Sequence, residues 1–181
     1  MARKLSHDEI SENRSTLETL DKINRLPVYV VADNIRSSYN VGSLFRTSDG
    51  AQIEKLYLCG YTPAPPKKEI LKTALGATDS VPWEKVDNAV DIVKKLKSEG
   101  VKICSLELTD SSIPHYTVKP DIFPLCLVIG NEISGVNSEL VELSDFTMEI
   151  PQYGIKQSLN VSVAYGISIF DLRRIYDISR Q

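Results

Sequence analysis

The chain has 181 residues, 42% of them hydrophobic, with 21 basic and 24 acidic side chains and a formal net charge of −3. That length suits one domain with a real core, and the composition is that of a globular protein rather than a disordered or fibrous one. Residues 1–10 lack the apolar core of a signal peptide and no run is long enough to span a bilayer as a helix, so a cytoplasmic protein is expected; the acidic balance argues against a strongly electrostatic binder.

In chain order, Ser6 with Glu9 three positions on forms a capping-box pattern. It predicts a helix from Ser6 to about Arg25, with a thin apolar stripe of Ile10, Leu17, Leu20 and Ile23. Residues 1–26 are taken as this helical extension and 27–181 as the domain proper. Val28–Ala32 is a β-branched strand, Asn40–Gly50 a helix and Lys55–Cys59 a second strand. Thr62–Lys68 is a proline-stiffened basic loop. Val86–Lys97 is an amphipathic helix that ends near Gly100, and Trp83 before it is expected in the core or at its rim.

Val101–Leu106 and Leu125–Ile129 are strands buried on both faces, separated by the long irregular connection Thr109–Pro124. A short helix (Asn137–Leu143), a strand (Phe146–Ile150) and a long C-terminal helix complete the chain. Val161, Val163, Ala164, Ile167, Ile169, Phe170 and Leu172 make that last helix apolar on most of its circumference, which predicts burial. Alternating strands and helices predict an α/β fold with a mostly parallel sheet covered on both faces.

Cys59, Cys104 and Cys126 each sit in an apolar run, at an odd count and without C-x-x-C spacing, and read as reduced core thiols. His7 and His115 have no second ligand at metal spacing, so no metal is expected. The charge is unevenly spread. Residues 131–150 hold five acids and no Lys or Arg, which leaves the rest of the chain at net +2. Basic residues gather at Lys67, Lys68 and Lys72 and near the C-terminus at Arg173, Arg174 and Arg180, which leaves room for a local basic surface.

Three clusters lie at strand-to-helix junctions, where open α/β sheets build their sites. In Asp33–Arg46, Val41, Leu44, Phe45 and Ser48 follow the spacing of a core-facing stripe. Gly42 and Arg46, four apart, share another face, and Gly42 is expected to leave room for a phosphate or ribose. The plain alternative makes Asn40 an N-cap and Arg46 a surface ion-pair residue; taken alone, this cluster favours it. The second cluster, Leu127-Val-Ile-Gly-Asn-Glu-Ile-Ser-Gly135, places a Gly-bracketed turn and one carboxylate after an apolar strand. Gly130 is expected to let a ligand approach the backbone, and Glu132 to hold a positive or hydroxyl group. The third runs from Ile150 to Gly166. It sets Ser158 and Asn160 in the polar first turn of the last helix, beside its free N–H groups.

Taken together, Asn40…Arg46, then Gly130-Asn-Glu132…Gly135, then Pro151…Gly154…Ser158-Leu-Asn-Val-Ser162 resembles the three motifs of the SpoU–TrmH family of the SPOUT RNA methyltransferases. The match is in order and runs from about Val28 to the C-terminus, with Lys72-Thr-Ala-Leu-Gly-Ala77 resembling the segment after the family's second strand. The resemblance implies methyl transfer from S-adenosylmethionine to a ribose 2′-hydroxyl of tRNA or rRNA, a C-terminal deep trefoil knot and a homodimer.

By position, Asn40, Arg46, Glu132, Ser158 and Asn160 match the family's active-site set, and Leu106, Gly130, Ile150 and Leu159 its cofactor contacts; selection of the RNA would then fall to the N-terminal helix, to Lys67, Lys68 and Lys72, to Arg36 and to Lys156. A guanidinium is a poor base because its pKa exceeds about 12. Arg46 is therefore expected to clamp a phosphate and stabilise charge on the ribose oxygen, oriented by Glu132 and Asn40, while Ser158 and Asn160 fix the ribose. Two other readings remain open: a non-catalytic RNA- or partner-binding module on the same fold, and a methyltransferase acting on a small molecule.

Overall fold

A computed structural model describes residues 2–12, 14–22 and 24–180 of the protein. Seven strands form one sheet: β1 (Leu26–Asp33), β2 (Ile53–Cys59), β3 (Trp83–Val86), β4 (Lys102–Leu106), β5 (Ile113–Pro114), β6 (Leu125–Ile129) and β7 (Phe146–Glu149). Their order is β3-β2-β1-β6-β4-β7-β5, and every pairing is parallel.

The central strands obey the two-residue period of a sheet covered on both faces. In β1, Leu26, Val28, Val30 and Ala32 enter one core, while Val31 enters the other. In β6, Leu125, Leu127 and Ile129 alternate in the same way with Cys126 and Val128.

The helices are α1 (His7–Glu12), α2 (Ser38–Ala51), α3 (Lys68–Ala74), α4 (Ala77–Ser80), α5 (Ala89–Ser98), α6 (Ser138–Leu143) and α7 (Val161–Ser179). Val41, Leu44 and Phe45 of α2, Ile70 of α3, and Tyr165, Ile169 and Leu172 of α7 pack on one face. Val90, Val93 and Leu96 of α5 and Leu140 of α6 pack on the other. The Ser48 hydroxyl, fully buried on the core side of α2, meets the Tyr165 hydroxyl at 2.7 Å and ties α2 to α7. The helix after β1 thus leaves to one face and the helix after β6 to the other. Adjacent strands whose connections diverge leave a crevice at their carboxyl ends.

Four expectations are corrected. The N-terminal segment is not one helix. The Ser6–Glu9 box forms, with Ser6 N–H donating to Glu9 Oε2 at 2.8 Å and Glu9 N–H to Ser6 Oγ at 3.3 Å. Yet α1 stops at Glu12, and only a 3-10 turn, Leu17–Lys22, follows. Six residues with no buried side chain lack the tertiary packing that sustains a short helix. Ile23 of the expected stripe lies outside the described residues. Second, α7 is not buried all round: Val163 and Phe170 are each 50% exposed and Ile167 38%. The buried stripe runs through Tyr165, Ser168, Ile169, Leu172 and Ile175, with Tyr176 packing against Phe123 at its margin.

Third, the basic loop closes at Lys67, and Lys68–Ala74 is helical. Fourth, the helix expected from Val86 starts only at Ala89, capped by Asn88, because Val86 ends β3, a four-residue edge strand with exposed Glu84 and Lys85 between half-buried ends that no two-residue period marks. Trp83, at its start, packs edge-on against Phe45 with ring centroids 5.9 Å apart, as a rim residue should. All three cysteines are free and buried. Among the described residues no helix is long and apolar enough to cross a membrane, and no cluster of metal ligands occurs.

Candidate active site

The β1–α2 loop, the turn after β6 and the start of α7 meet at the carboxyl edge of the sheet. Helix α2 is capped by Ser37, whose hydroxyl accepts from Asn40 N–H at 3.3 Å. Asn40 is therefore not the cap, and its side chain is free to reach outward. Asn40 Nδ2 donates to Glu132 Oε1 at 2.9 Å, and Asn40 Oδ1 accepts from Asn160 Nδ2 at 3.1 Å. Asn160 Oδ1 accepts in turn from Ser162 N–H at 2.9 Å, which makes Asn160 the N-cap of α7 rather than a member of its first turn. Three segments far apart in sequence are joined in one polar relay.

Glu132 also accepts from Arg36 N–H at 2.8 Å and Ser37 N–H at 3.1 Å. Its burial works to raise the carboxyl pKa. The bonds from Arg36, Asn40 and Ser37 outweigh that and hold it below the usual carboxylate range. Glu132 is thus a carboxylate spent on the entry to α2, where it also complements the helix dipole.

The two remaining polar members stand apart from this relay. Arg46 is exposed on α2 and bonds to neither Glu132 nor Asn40. Six residues of helix separate Arg46 from Asn40, which sets the two side chains about 120° apart around the axis. Ser158 is exposed in the loop before α7 and, like that of Arg46, its side chain makes no intramolecular hydrogen bond among the described residues.

Two glycines do something other than expected. A Cβ on Gly42 would stand 1.9 Å from Thr73 Oγ1 and 2.5 Å from the Ile70 carbonyl oxygen. The room beside Arg46 is therefore filled by α3, not held open for a phosphate or ribose. A Cβ on Gly130 would meet the backbone of Gly135 and Val136 at 2.3 Å. What approaches Gly130 is its own loop. Asn131 and Gly135 exchange N–H···O bonds of 3.0 Å, and the Asn131 side-chain oxygen accepts from Ile133 and Ser134 N–H.

Sequence reasoning passed over Glu107, which pins that loop to the end of β4. Its carboxylate accepts from Val136 N–H at 2.8 Å and Leu108 N–H at 2.9 Å. No local pattern marks it, because its partner lies 29 residues away. Ser37 was findable: a Ser three residues before Asn40 at a helix entry is a cap signal.

Leu106 ends β4, while Gly130 and Ile150 follow β6 and β7 directly, so these three sit side by side on adjacent strands. Leu106 and Ile150 are half-buried and Leu159 is 39% exposed. The basic residues Arg36, Lys67, Lys68, Lys72 and Lys156 are all exposed, on connections that leave the carboxyl ends of β1, β2 and β7. A cavity of about 410 Å³ beside Lys97, Lys102 and Asp145 opens at the opposite edge and belongs to none of this.

A doubly covered parallel sheet with a polar site at its carboxyl edge defines an open α/β protein of the switch-point type. Comparison makes the class specific. The sequence model of the SpoU rRNA Methylase family matches residues 27–170, and the chain belongs to that family. It is 36% identical over 159 residues to the tRNA (guanosine(18)-2′-O)-methyltransferase of Aquifex aeolicus, covering 87% of this chain and 73% of that protein. It is 31% identical to the 23S rRNA (guanosine(2553)-2′-O)-methyltransferase RlmP of Bacillus subtilis, over 80% of this chain and 57% of that one. The crystal structure of the A. aeolicus TrmH/SpoU tRNA modifying enzyme superposes with a TM-score of 0.81 at 33% identity, over 91% of this chain and 84% of that one. An AdoMet-bound rRNA methyltransferase from Sinorhizobium meliloti superposes at 0.77 and 29%, over 86% and 59%.

Proposed function

We propose that this protein transfers a methyl group from S-adenosylmethionine to a ribose 2′-hydroxyl of tRNA or rRNA. The observation that carries the reading is the relay from Glu132 through Asn40 to Asn160 at the carboxyl edge, with Arg46 and Ser158 exposed and without side-chain partners on the helix and loop that the relay joins. A structural role alone does not call for exposed polar side chains converging from three segments. The Aquifex and Bacillus relatives, both named as 2′-O-methyltransferases, support it.

The strand ends fit the cofactor. Half-buried Leu106 stands between Gly130 and half-buried Ile150 on three adjacent strand ends, and Leu159, 39% exposed in the loop before α7, is an open apolar side chain. These four residues would hold it. When bound, S-adenosylmethionine supplies a methyl group activated by a sulfonium. The chain's own residues do the rest. The relay fixes the Asn40 and Asn160 amides, and these with Ser158 orient the ribose. Arg46, charged at any working pH, clamps the adjoining phosphate and stabilises charge developing on the ribose oxygen. Arg36, Lys67, Lys68, Lys72 and Lys156 line the approach of the RNA backbone.

The same reading takes the segment after β7 as threaded through the β6–α6 loop to make the family's trefoil knot. It takes the protein as a homodimer that covers the open apolar stripe of α7, Val163, Ile167 and Phe170. Three free, enclosed thiols support a reducing, cytoplasmic setting.

The test is transfer of labelled methyl from S-adenosylmethionine into undermodified tRNA and, separately, rRNA, with Arg46→Ala as control. Wild-type labelling of one pool, located by nucleoside digestion as a 2′-O-methyl mark, is the expected result. Failure of both transfer and cofactor binding would favour the non-catalytic module, whereas cofactor binding without transfer to either pool would point to a missing partner or an untested RNA. For the clamp, Arg46→Lys retains charge but loses the planar fork, and turnover is expected to fall about tenfold or more. Near-wild-type turnover in that variant refutes the clamp.

A further inference from the structure

Behind the relay lies a second polar hollow of about 720 Å³, within the range of small-ligand sites. The same two loops build it. Glu132 turns its side chain to α2, whereas Asn131, its neighbour, turns the other way and donates to the Asn34 carbonyl at 2.7 Å and the Tyr61 hydroxyl at 2.6 Å. Asp33, Asn34 and Tyr61 line the hollow with Asn131, and Glu142 of α6 closes one side.

Asp33 is the informative residue. It is only 6% exposed, yet its carboxylate accepts one side-chain hydrogen bond, from Asn34 Nδ2 to Oδ1 at 2.9 Å. Its other oxygen has no protein donor, and it is not among the buried polar atoms sealed without a partner. It therefore opens onto the hollow. A carboxylate so enclosed and so thinly satisfied is costly, and its presence calls for an explanation. Burial pushes its pKa up, with the Asn34 bond opposing.

The other lining groups say what fits. The described lining carries no Lys or Arg and two carboxylates, so the hollow repels phosphate. The Asn131 side chain is fully engaged: its amide makes two bonds and its oxygen accepts two more. The Tyr61 hydroxyl accepts from Asn131, which leaves its own proton to give. The site thus presents one donor, the Tyr61 hydroxyl, and one carboxylate acceptor, Asp33, on the same hollow. Guanine has the complement, an O6 acceptor beside the N1–H and N2–H donors.

We infer that the hollow lined by Asp33, Tyr61 and Asn131 is a base-reading site that takes an unpaired guanine of the bound RNA. This rests on the reading of the protein as an RNA-directed enzyme and supplies the sequence preference that the basic residues, which meet only phosphates, do not.

The test uses the full chain and fluorescein-labelled pentaribonucleotides with a central guanosine, inosine or adenosine flanked by uridines, read by fluorescence anisotropy without cofactor. Inosine lacks only the N2 amino group. Wild type should bind the guanosine oligomer about tenfold tighter than the inosine one, the value of a good polar base contact. Asp33→Asn, nearly isosteric, should lose that ratio. Tyr61→Phe, at an exposed position, should keep the guanosine-to-inosine ratio but narrow the guanosine-to-adenosine one. Equal binding of all three by wild type, or an unchanged ratio in Asp33→Asn, overturns the site. Methyl transfer is measured beside it. Transfer without base preference overturns the hollow alone, whereas base preference without transfer supports the hollow and overturns the methyltransferase reading.

Discussion

Gly42→Ala separates two meanings of one glycine. If Gly42 kept space for a ligand, alanine there would gain about 1 kcal/mol of helix propensity and harm activity alone. The structure says otherwise. The new methyl would stand 2.5 Å from the Ile70 carbonyl and 1.9 Å from Thr73 Oγ1. Thr73 can rotate away, but the carbonyl is backbone, and ordinary contact requires α3 to retreat by about 1 Å, with the fully buried Ile70 dragged along. Overpacking of this kind costs about 1–3 kcal/mol, partly offset by propensity. Because the obstacle at Ile70 is backbone, the cost falls in the upper part of that range, about 2–3 kcal/mol, and after the gain of about 1 kcal/mol in propensity the net expectation is about 1–2 kcal/mol of destabilisation, or a Tm lower by about 2–8 °C for a chain of this size. Urea unfolding should show a lower midpoint at unchanged slope. Adding Thr73→Ala should restore only part, because the carbonyl remains. A Gly42→Ala protein as stable as wild type, or more so, refutes the close packing of α2 on α3.

Three other outcomes are expected. Because bonds from Arg36, Asn40 and Ser37 hold the Glu132 pKa below its ordinary value, its carboxylate stabilises the fold above the usual carboxylate range, and that stability is lost as pH falls through the lowered value. The stability gap between wild type and Glu132→Gln, from urea midpoints, should therefore shrink below about pH 4; a gap that widens on acidification contradicts the relay. Burial pushes the Cys59 thiol up to about 12 and raises Cys104 and Cys126 as well, so iodoacetamide at about pH 8 should leave the native protein unmodified by mass spectrometry and label it only in urea. Phe170→Glu places a charge on the open stripe of α7 and should convert the proposed dimer to a folded monomer in sedimentation; a wild type already monomeric at micromolar concentration removes the dimer from the reading.

Much of this protein follows from local pattern. The two-residue alternation of β1 and β6 and the i, i+3, i+4, i+7 stripe of α2 are written within a few residues, because side-chain direction repeats with the backbone period. Val41, Leu44, Phe45 and Ser48 accordingly sit in the core, and the buried cysteines were legible from their apolar neighbours. The order of the polar motifs pointed to the family. What those motifs touch was not legible, because the partners lie far along the chain. Glu132 meets Arg36, Ser37 and Asn40 across more than ninety residues, and Asn160 meets Asn40 across 120.

The glycines show the limit most plainly. Sequence says that a side chain is missing at Gly42 and Gly130, but only the packed structure says that α3 fills one space and the Gly135 backbone the other. The exposed stripe of α7 is the same lesson reversed. Apolar residues on several faces of a helix predict burial, whereas one domain has core to cover only one of them. Periodicity is a property of a segment. Burial and partnership are properties of what the rest of the chain brings against it.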